Sequence, residues 1–354
     1  MANLSKAYES APQQTHRIIP LDFQSVKHVP ESHSWSNSDD SLPVRSQLVE
    51  NIEQISLPVI DLGDLDASKM MGQACESWGM FQVINHGIPS TLFRDVESEA
   101  RAFFSLAAEE KMKALRSPGG LTGYGVAQIA KYYNKLMWHE GLTIVGSPMD
   151  HVREIWPDQY HRFCEVMEAY QKAMKELSER LLDLILKSLG MPEEHIEWLS
   201  SVACKGRQAP STLLQLNSYP PCPDPTQATG LAPHTDSFLI TILHQVGNIN
   251  GLQVHREGTG WALIVPLEGA LVVNVGDMLH IMSNGLFSSV LHRAVVDNTR
   301  HRLSFAYFYG PPAVSSISPI PRGCQSQFRS MTVREYLEMK GKDFEGALSK
   351  IRVV

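Results

Sequence analysis

Fourteen histidines occur in the chain, more than any one site needs, so spacing has to select among them. On a β-strand, residues i and i+2 share a face. A His-x-Asp or His-x-Glu pair at a strand end therefore sets an imidazole beside a carboxylate. Three such pairs occur, His195/Glu197, His234/Asp236 and His255/Glu257, so the dipeptide spacing alone says little. The flanking residues separate them. His195 follows Pro192, Glu193 and Glu194 at a helix start, where i and i+2 diverge. His255-Arg256-Glu257-Gly258 reads as a charged, solvated hairpin turn. Only His234 stands between apolar stretches, Gly230-Leu231-Ala232-Pro233 before it and Phe238-Leu239-Ile240 after it.

A third ligand should come from a later strand. His292, in Val290-Leu291-His292-Arg293-Ala294, is placed to supply it. Two imidazoles and one carboxylate with open positions form the ligand set of non-haem Fe(II) oxygenation. Arg302 and Ser304 follow with i, i+2 spacing at the head of the apolar run Phe305-Ala306-Tyr307. A buried guanidinium there needs an anion, and its planar fork fits a carboxylate. Asn217 and Tyr219 share a face in the same way, and the Tyr219 hydroxyl could complete a carboxylate pocket around Arg302. Each pair alone is weak; the ordered set His-x-Asp, His, Arg-x-Ser is specific.

These residues need rigid elements to hold them. Residues 1–55 form a polar arm expected to bring little core of its own. The stretch 56–160 reads as helix-rich around a strand or two: a strand at Leu57–Leu62, a helix through Met71–Trp78, a strand at Phe81–Gly87 and a helix over 90–116. The period of Phe163, Val166, Tyr170, Met174, Leu177, Leu181 and Leu184 predicts a support helix from Tyr160 to Leu189, within a unit of support helix and connection over 161–206. From 207 to 312 short strand-like runs follow one another: Leu213–Tyr219, Phe238–His244, Gly251–His255, Trp261–Val265, Ala270–Val275, His280–Met282, Ala294–Val296 and Leu303–Tyr309. Gly, Pro, Asn and Asp punctuate them, which argues for a jelly roll. Residues 313–354 make a C-terminal segment. The fold class is α+β with a mainly β core.

Composition bounds the function. The 354 residues are 43% hydrophobic and 19% charged, which excludes disorder as the main state. A formal charge of −7 argues against a nucleic-acid binder and against a polybasic membrane anchor. The five cysteines, Cys75, Cys164, Cys204, Cys222 and Cys324, are scattered and odd in number. They read as free thiols in a reducing compartment. No apolar leader or spanning stretch stands out. The expectation is a soluble cytoplasmic or nuclear monomer.

The metal and Arg-x-Ser motifs, with Asn217-Ser218-Tyr219-Pro220, Leu57-Pro58-Val59-Ile60-Asp61 and Trp78 through Gly87, resemble the plant 2-oxoglutarate- and Fe(II)-dependent dioxygenases over most of the chain. Three stretches are similar to gibberellin 3-oxidases: Lys135 through Ile144, Leu231 through Ser237, and Asn274 through Ala294. His244 and Phe238 depart from that pattern. The resemblance implies a double-stranded β-helix with helical backing. It implies iron on His234, Asp236 and His292, and 2-oxoglutarate held by Tyr219, Arg302 and Ser304, near Asn217. Arg302 is the residue outside the triad expected to bear on catalysis. It further implies O₂ as oxidant, ascorbate as reductant, and hydroxylation of a diterpenoid acid with release of succinate and CO₂. Another oxidase branch (gibberellin 2- or 20-oxidase, or flavonoid-type) and a non-catalytic binder of small acids are the alternatives.

An apolar substrate needs an apolar cavity with one cation or donor for its carboxylate. Tyr124, Tyr132, Tyr133, Lys135, Trp138 and Phe238 are the candidates, with one of Tyr132 and Tyr133 expected to pack and the other to line the cavity. Arg293 is expected in a structural ion pair and Asp277 in a turn.

Overall fold

The computed structural model describes residues 18–35, 52–156, 160–191, 210–247, 249–321 and 325–353. His195, Glu197, Cys204 and Cys324 lie outside them. In chain order the first strands are β1 (Gln54–Ile55), β2 (Val59–Asp61), β3 (Met80–Ile84), β4 (Gly123–Gly125), β5 (Glu140–Ile144) and β6 (Ser211–Tyr219). Then come β7 (Leu231–His234), β8 (Ile240–Gln245), β9 (Leu252–Arg256), β10 (Gly260–Ile264), β11 (Leu271–Val275), β12 (His292–Ala294) and β13 (Arg302–Gly310). The main helices are α1 (Ala67–Ser77), α2 (Ser90–Phe104), α3 (Tyr160–Ser188), α4 (Asp277–Met282) and α5 (Val333–Lys342).

Two sheets make the jelly roll. The larger runs β2-β3-β11-β8-β13-β6-β5-β4 and the smaller β1-β10-β9-β12-β7. Four strands of the larger sheet come from the N-terminal half, so that half is part of the same sheet as the core. β11, read as an apolar run, is buried along its whole length, as a strand covered on both faces must be. The α3 helix supplies outer cover, packing on β8 and β13. Its buried stripe includes Phe163, Val166, Tyr170, Met174, Leu177, Leu181 and Ile185. Gly190, at φ +77°, ends it in the left-handed region that glycine adopts without a Cβ penalty.

Three elements differ from the sequence reading. His280–Met282 belongs to α4 instead of a strand. A short apolar run has no periodicity of its own to decide the matter, and Gly276 breaks the chain away from β11. The predicted strand at Ala294–Val296 sits earlier, at His292–Ala294, because His292 pairs with His234 and Val254. The helix over 90–116 stops at Phe104 and continues as two short turns, Ala108–Lys111 and Met112–Ala114. The arm also contributes core: Ile18 and Trp35 are buried, and Trp35 Nε1 donates to the Leu136 carbonyl at 2.8 Å.

Candidate active site

β7 and β12 are antiparallel neighbours with His234 directly opposite His292. Their rings lie 4.2 Å apart between centroids. Each Nδ1 faces a backbone carbonyl two residues back, Ala232 at 2.8 Å and Val290 at 3.1 Å. Donation there leaves both Nε2 lone pairs directed at the same point. Asp236, two residues past the end of β7, brings Oδ1 to 3.6 Å from His234 Nε2 and 4.0 Å from His292 Nε2. Its other oxygen accepts from Thr241 Oγ1 at 2.6 Å and Asn274 Nδ2 at 2.8 Å. The carboxylate is thus held by one oxygen and offered by the other.

Electrostatics prepare the same site. Burial, with the neighbouring His292, lowers the His234 pKa to about 3, so its imidazole is neutral and able to ligate. Burial alone would raise the Asp236 carboxyl. The two imidazoles and the Thr241 and Asn274 hydrogen bonds outweigh it and hold the group below its ordinary value. Among the described residues, these three are the only group of His, Cys, Asp or Glu whose ligand atoms all converge within 4.8 Å. Two imidazoles and one carboxylate of this kind suit ferrous iron.

β6 and β13 place the second half of the site. Their register sets Arg302 against Tyr219 and Ser304 against Asn217. Arg302 is 3% exposed and donates to Gln245 Oε1 at 3.0 Å, while its Cζ lies 5.1 Å from the centre of the Tyr219 ring. Its Nε and the hydroxyl of Ser304 are buried with no hydrogen-bond partner of good geometry. A buried donor left unpaired is costly, and a carboxylate would satisfy both groups together. Gly251 makes room for this: a Cβ there would stand 2.6 Å from Arg302 Nε. The residues present therefore fit iron on the triad and a dicarboxylate reaching to Arg302 and Ser304.

Two chambers open on the triad. The inner one is lined by Tyr219, Asn274, His292, Arg302 and Ser304. The outer one lies on the other side of the triad and opens toward solvent. Its walls include Leu121, Ile129, Lys131, Tyr132, His139, Leu213, Phe238, Leu337, Lys340 and Phe344. Gln215, Asn217, Leu231, His234, Asp236 and Phe308 line both.

The aromatic candidates divide. Phe238 and Tyr132 line the outer chamber, and Tyr132 stacks on Phe344 at 4.4 Å. A Cβ on Gly310 would collide with the Phe238 ring, so that glycine is what admits the large side chain. The others line neither chamber. Trp138 is fully buried and donates to the Pro220 carbonyl at 3.0 Å, packed edge-on to Phe23. Tyr133 donates to the Pro233 carbonyl at 2.6 Å. Lys135 donates to the Glu31 carbonyl at 2.9 Å on the exterior. The Tyr124 hydroxyl is taken by Glu140, itself paired with Lys111 at 2.7 Å in the interior. His244 lies outside the site, tilted against Phe93 with ring centres 4.3 Å apart.

Two residues have roles that spacing does not give. Arg293 donates to Gln253 and stacks over Trp261. Asp277, expected in a turn, is fully buried at the start of α4. It accepts from Tyr336 at 2.7 Å and Ser289 at 2.6 Å and pairs with Lys340. Lys340 also donates to the Thr235 carbonyl at 2.7 Å, between two metal ligands. The Asp277 amide donates to the Asp236 carbonyl at 2.7 Å. Thus α5 both walls the outer chamber and braces the metal loop. The Thr332-x-x-Glu335 capping box that starts this helix is a readable signal for it.

Comparison with known proteins agrees with this geometry. Residues 210–311 match the 2OG-Fe(II) oxygenase superfamily, and residues 57–159 match the N-terminal region described as non-haem dioxygenase in morphine synthesis. Gibberellin 3-beta-dioxygenase 1 of Pisum sativum is 49% identical, over 100% of this chain and 94% of its own length. Gibberellin 3-beta-dioxygenase 1 of Arabidopsis thaliana is 47% identical, over 95% and 94%. Among solved structures, JOX2 in complex with 2OG, Fe and JA superposes with a TM-score of 0.76 at 25% identity, covering 98% of this chain and 99% of that one. The chain belongs to the 2OG-Fe(II) oxygenase superfamily and, within it, to the family of the gibberellin 3-beta-dioxygenases.

Proposed function

We propose that this chain hydroxylates a gibberellin precursor at the 3β position, consuming 2-oxoglutarate and O₂ and releasing succinate and CO₂. The observation that carries the reaction class is the meeting of the two chambers at one iron-type triad. The choice of substrate rests on the two full-length relatives named gibberellin 3-beta-dioxygenase.

Ferrous iron, bound with 2-oxoglutarate, supplies the oxidising chemistry with O₂. The chain's own residues do the rest. His234, Asp236 and His292 would hold the metal. Arg302 and Ser304, with Tyr219 beside them, would bind the distal carboxylate of 2-oxoglutarate and so fix its orientation. Phe238, Tyr132, Phe344, Leu337 and Leu213 offer a rigid hydrocarbon skeleton an apolar wall and exclude water from the reacting carbon.

The test is incubation of purified protein with ferrous iron, ascorbate, 2-oxoglutarate and a panel of gibberellin precursors. The expected product carries one more oxygen, at the 3β position by NMR. No oxygenated product from any gibberellin overturns the reading. A cytoplasmic setting is part of the proposal, supported by the buried free thiols Cys75, Cys164 and Cys222. Among the described residues no helix is long and apolar enough to cross a membrane.

A further inference from the structure

The outer chamber has one charge unaccounted for. Lys340 is neutralised by Asp277 and bonded to Thr235. Asp236 is the only carboxylate in the chamber wall, and it faces the two imidazoles. Lys131, by contrast, lines the chamber with no acidic partner among the described residues. It sits in the 3₁₀ turn Gln128–Tyr132, with Nζ 5.0 Å from the centre of the Tyr132 ring. That ring is fixed in turn by Phe344. Burial and the Arg116 guanidinium nearby hold the ammonium below the ordinary lysine value. Arg116 is buried too, and no acid pairs with it among the described residues; it donates to the Val126 carbonyl at 2.7 Å. A cation in an apolar wall with no anion opposite it is electrostatically unfavourable, the more so with a second cation behind it, and a ligand carboxylate entering the chamber would supply the missing anion for Lys131.

Two other polar wall residues are already engaged. Gln128 donates to the carbonyls of Gly120 and Leu121. His139 is bonded to Asn217 at 2.9 Å.

We propose that Lys131 holds the carboxylate of the acid substrate and thereby sets which end of the hydrocarbon skeleton faces the triad. The proposal rests on the reading of the substrate as a gibberellin acid. It makes Lys131 a specificity residue toward the substrate and leaves the 2-oxoglutarate chamber untouched.

The test compares a gibberellin precursor acid with its methyl ester, in wild-type protein, Lys131→Met and Lys131→Arg. Wild type should favour the acid by roughly ten- to hundredfold in kcat/KM, as expected for one charge-assisted contact. Lys131→Met should lose that preference through KM for the acid, with KM for 2-oxoglutarate unchanged. Lys131→Arg should restore most of it. The wild-type acid-to-ester ratio needs no variant to fold, and a ratio near one by itself overturns the proposal. A Lys131→Met protein that still prefers the acid also overturns it, while the functional reading stands. Wild-type protein that hydroxylates no gibberellin overturns the functional reading, and this proposal with it.

Discussion

The two chambers that meet at the triad are built on different plans. The inner one hangs on a ladder: β6 and β13 run side by side, and their register alone sets Tyr219 against Arg302 and Asn217 against Ser304. The outer one shares strand residues of β6, β7 and β13 with it but is closed by separate pieces of chain: the turn at 128–132, β5, the loop after β7, and the end of α5 with Phe344. A hydrogen-bonded ladder fixes side-chain positions by backbone geometry. A wall of assembled pieces fixes only a shape, through packing. The inner chamber is therefore suited to one small ligand of fixed charge, and the outer one to a bulky ligand recognised by fit.

The largest test of this contrast removes what the chambers share. His234→Ala or Asp236→Ala should lower iron-dependent succinate formation by at least about a thousandfold, with or without substrate. Full turnover in either variant would remove that residue from the metal. Lys340→Met cuts the brace between the outer wall and the metal loop. It leaves the Asp277 carboxylate buried without its cation, at a cost of about 3–5 kcal/mol, to be read from urea denaturation of the iron-free protein. Unchanged stability would mean that Tyr336 and Ser289 suffice.

Arg302→Ala should raise KM for 2-oxoglutarate by about a hundredfold while preserving the ranking of substrates. A changed ranking would show that the chambers are less separate than their walls suggest. Phe238→Ser is the mirror case: KM for the apolar substrate should rise roughly tenfold, and 2-oxoglutarate saturation should not move.

The gentlest test is pH. Burial lowers the imidazoles of His139, in the outer wall, and His244, behind the sheet, from 6.5 to about 4. The unfolded chain then binds more protons than the folded one between those values. Stability from these groups is complete above about pH 6.5 and declines as pH falls toward 4. A flat urea midpoint across that window would mean that the two rings are not buried as neutral groups.

The same contrast explains what the sequence disclosed. The triad and the Arg-x-Ser pair were legible because strand period puts i and i+2 on one face, so a local pattern carries the three-dimensional arrangement. The mainly β core was legible from its punctuated apolar runs. The outer chamber was not, because membership depends on which way a side chain leaves an element. Tyr132 and Tyr133 are adjacent and chemically alike, yet one faces the cavity and the other donates to a backbone carbonyl. Trp138 and Tyr124 have the right chemistry for a substrate wall, but tertiary partners absorb them. Asp277 looked like a turn because the cation that buries it, Lys340, lies 63 positions away.

The Lys340 brace has a consequence for how the molecule comes into being. Every metal ligand has been synthesised by residue 292, and both sides of the carboxylate chamber by residue 304. The loop between His234 and Asp236 is nevertheless anchored by an ammonium 105 positions beyond Thr235. A ribosome delivers the chain from its N-terminus, so the iron loop gains its last support only when the closing helix has emerged. Until then the ligands have the β7–β12 pair and the Thr241 and Asn274 bonds to Asp236, but not this brace. The metal loop thus draws one of its supports from a residue that follows every ligand in the chain.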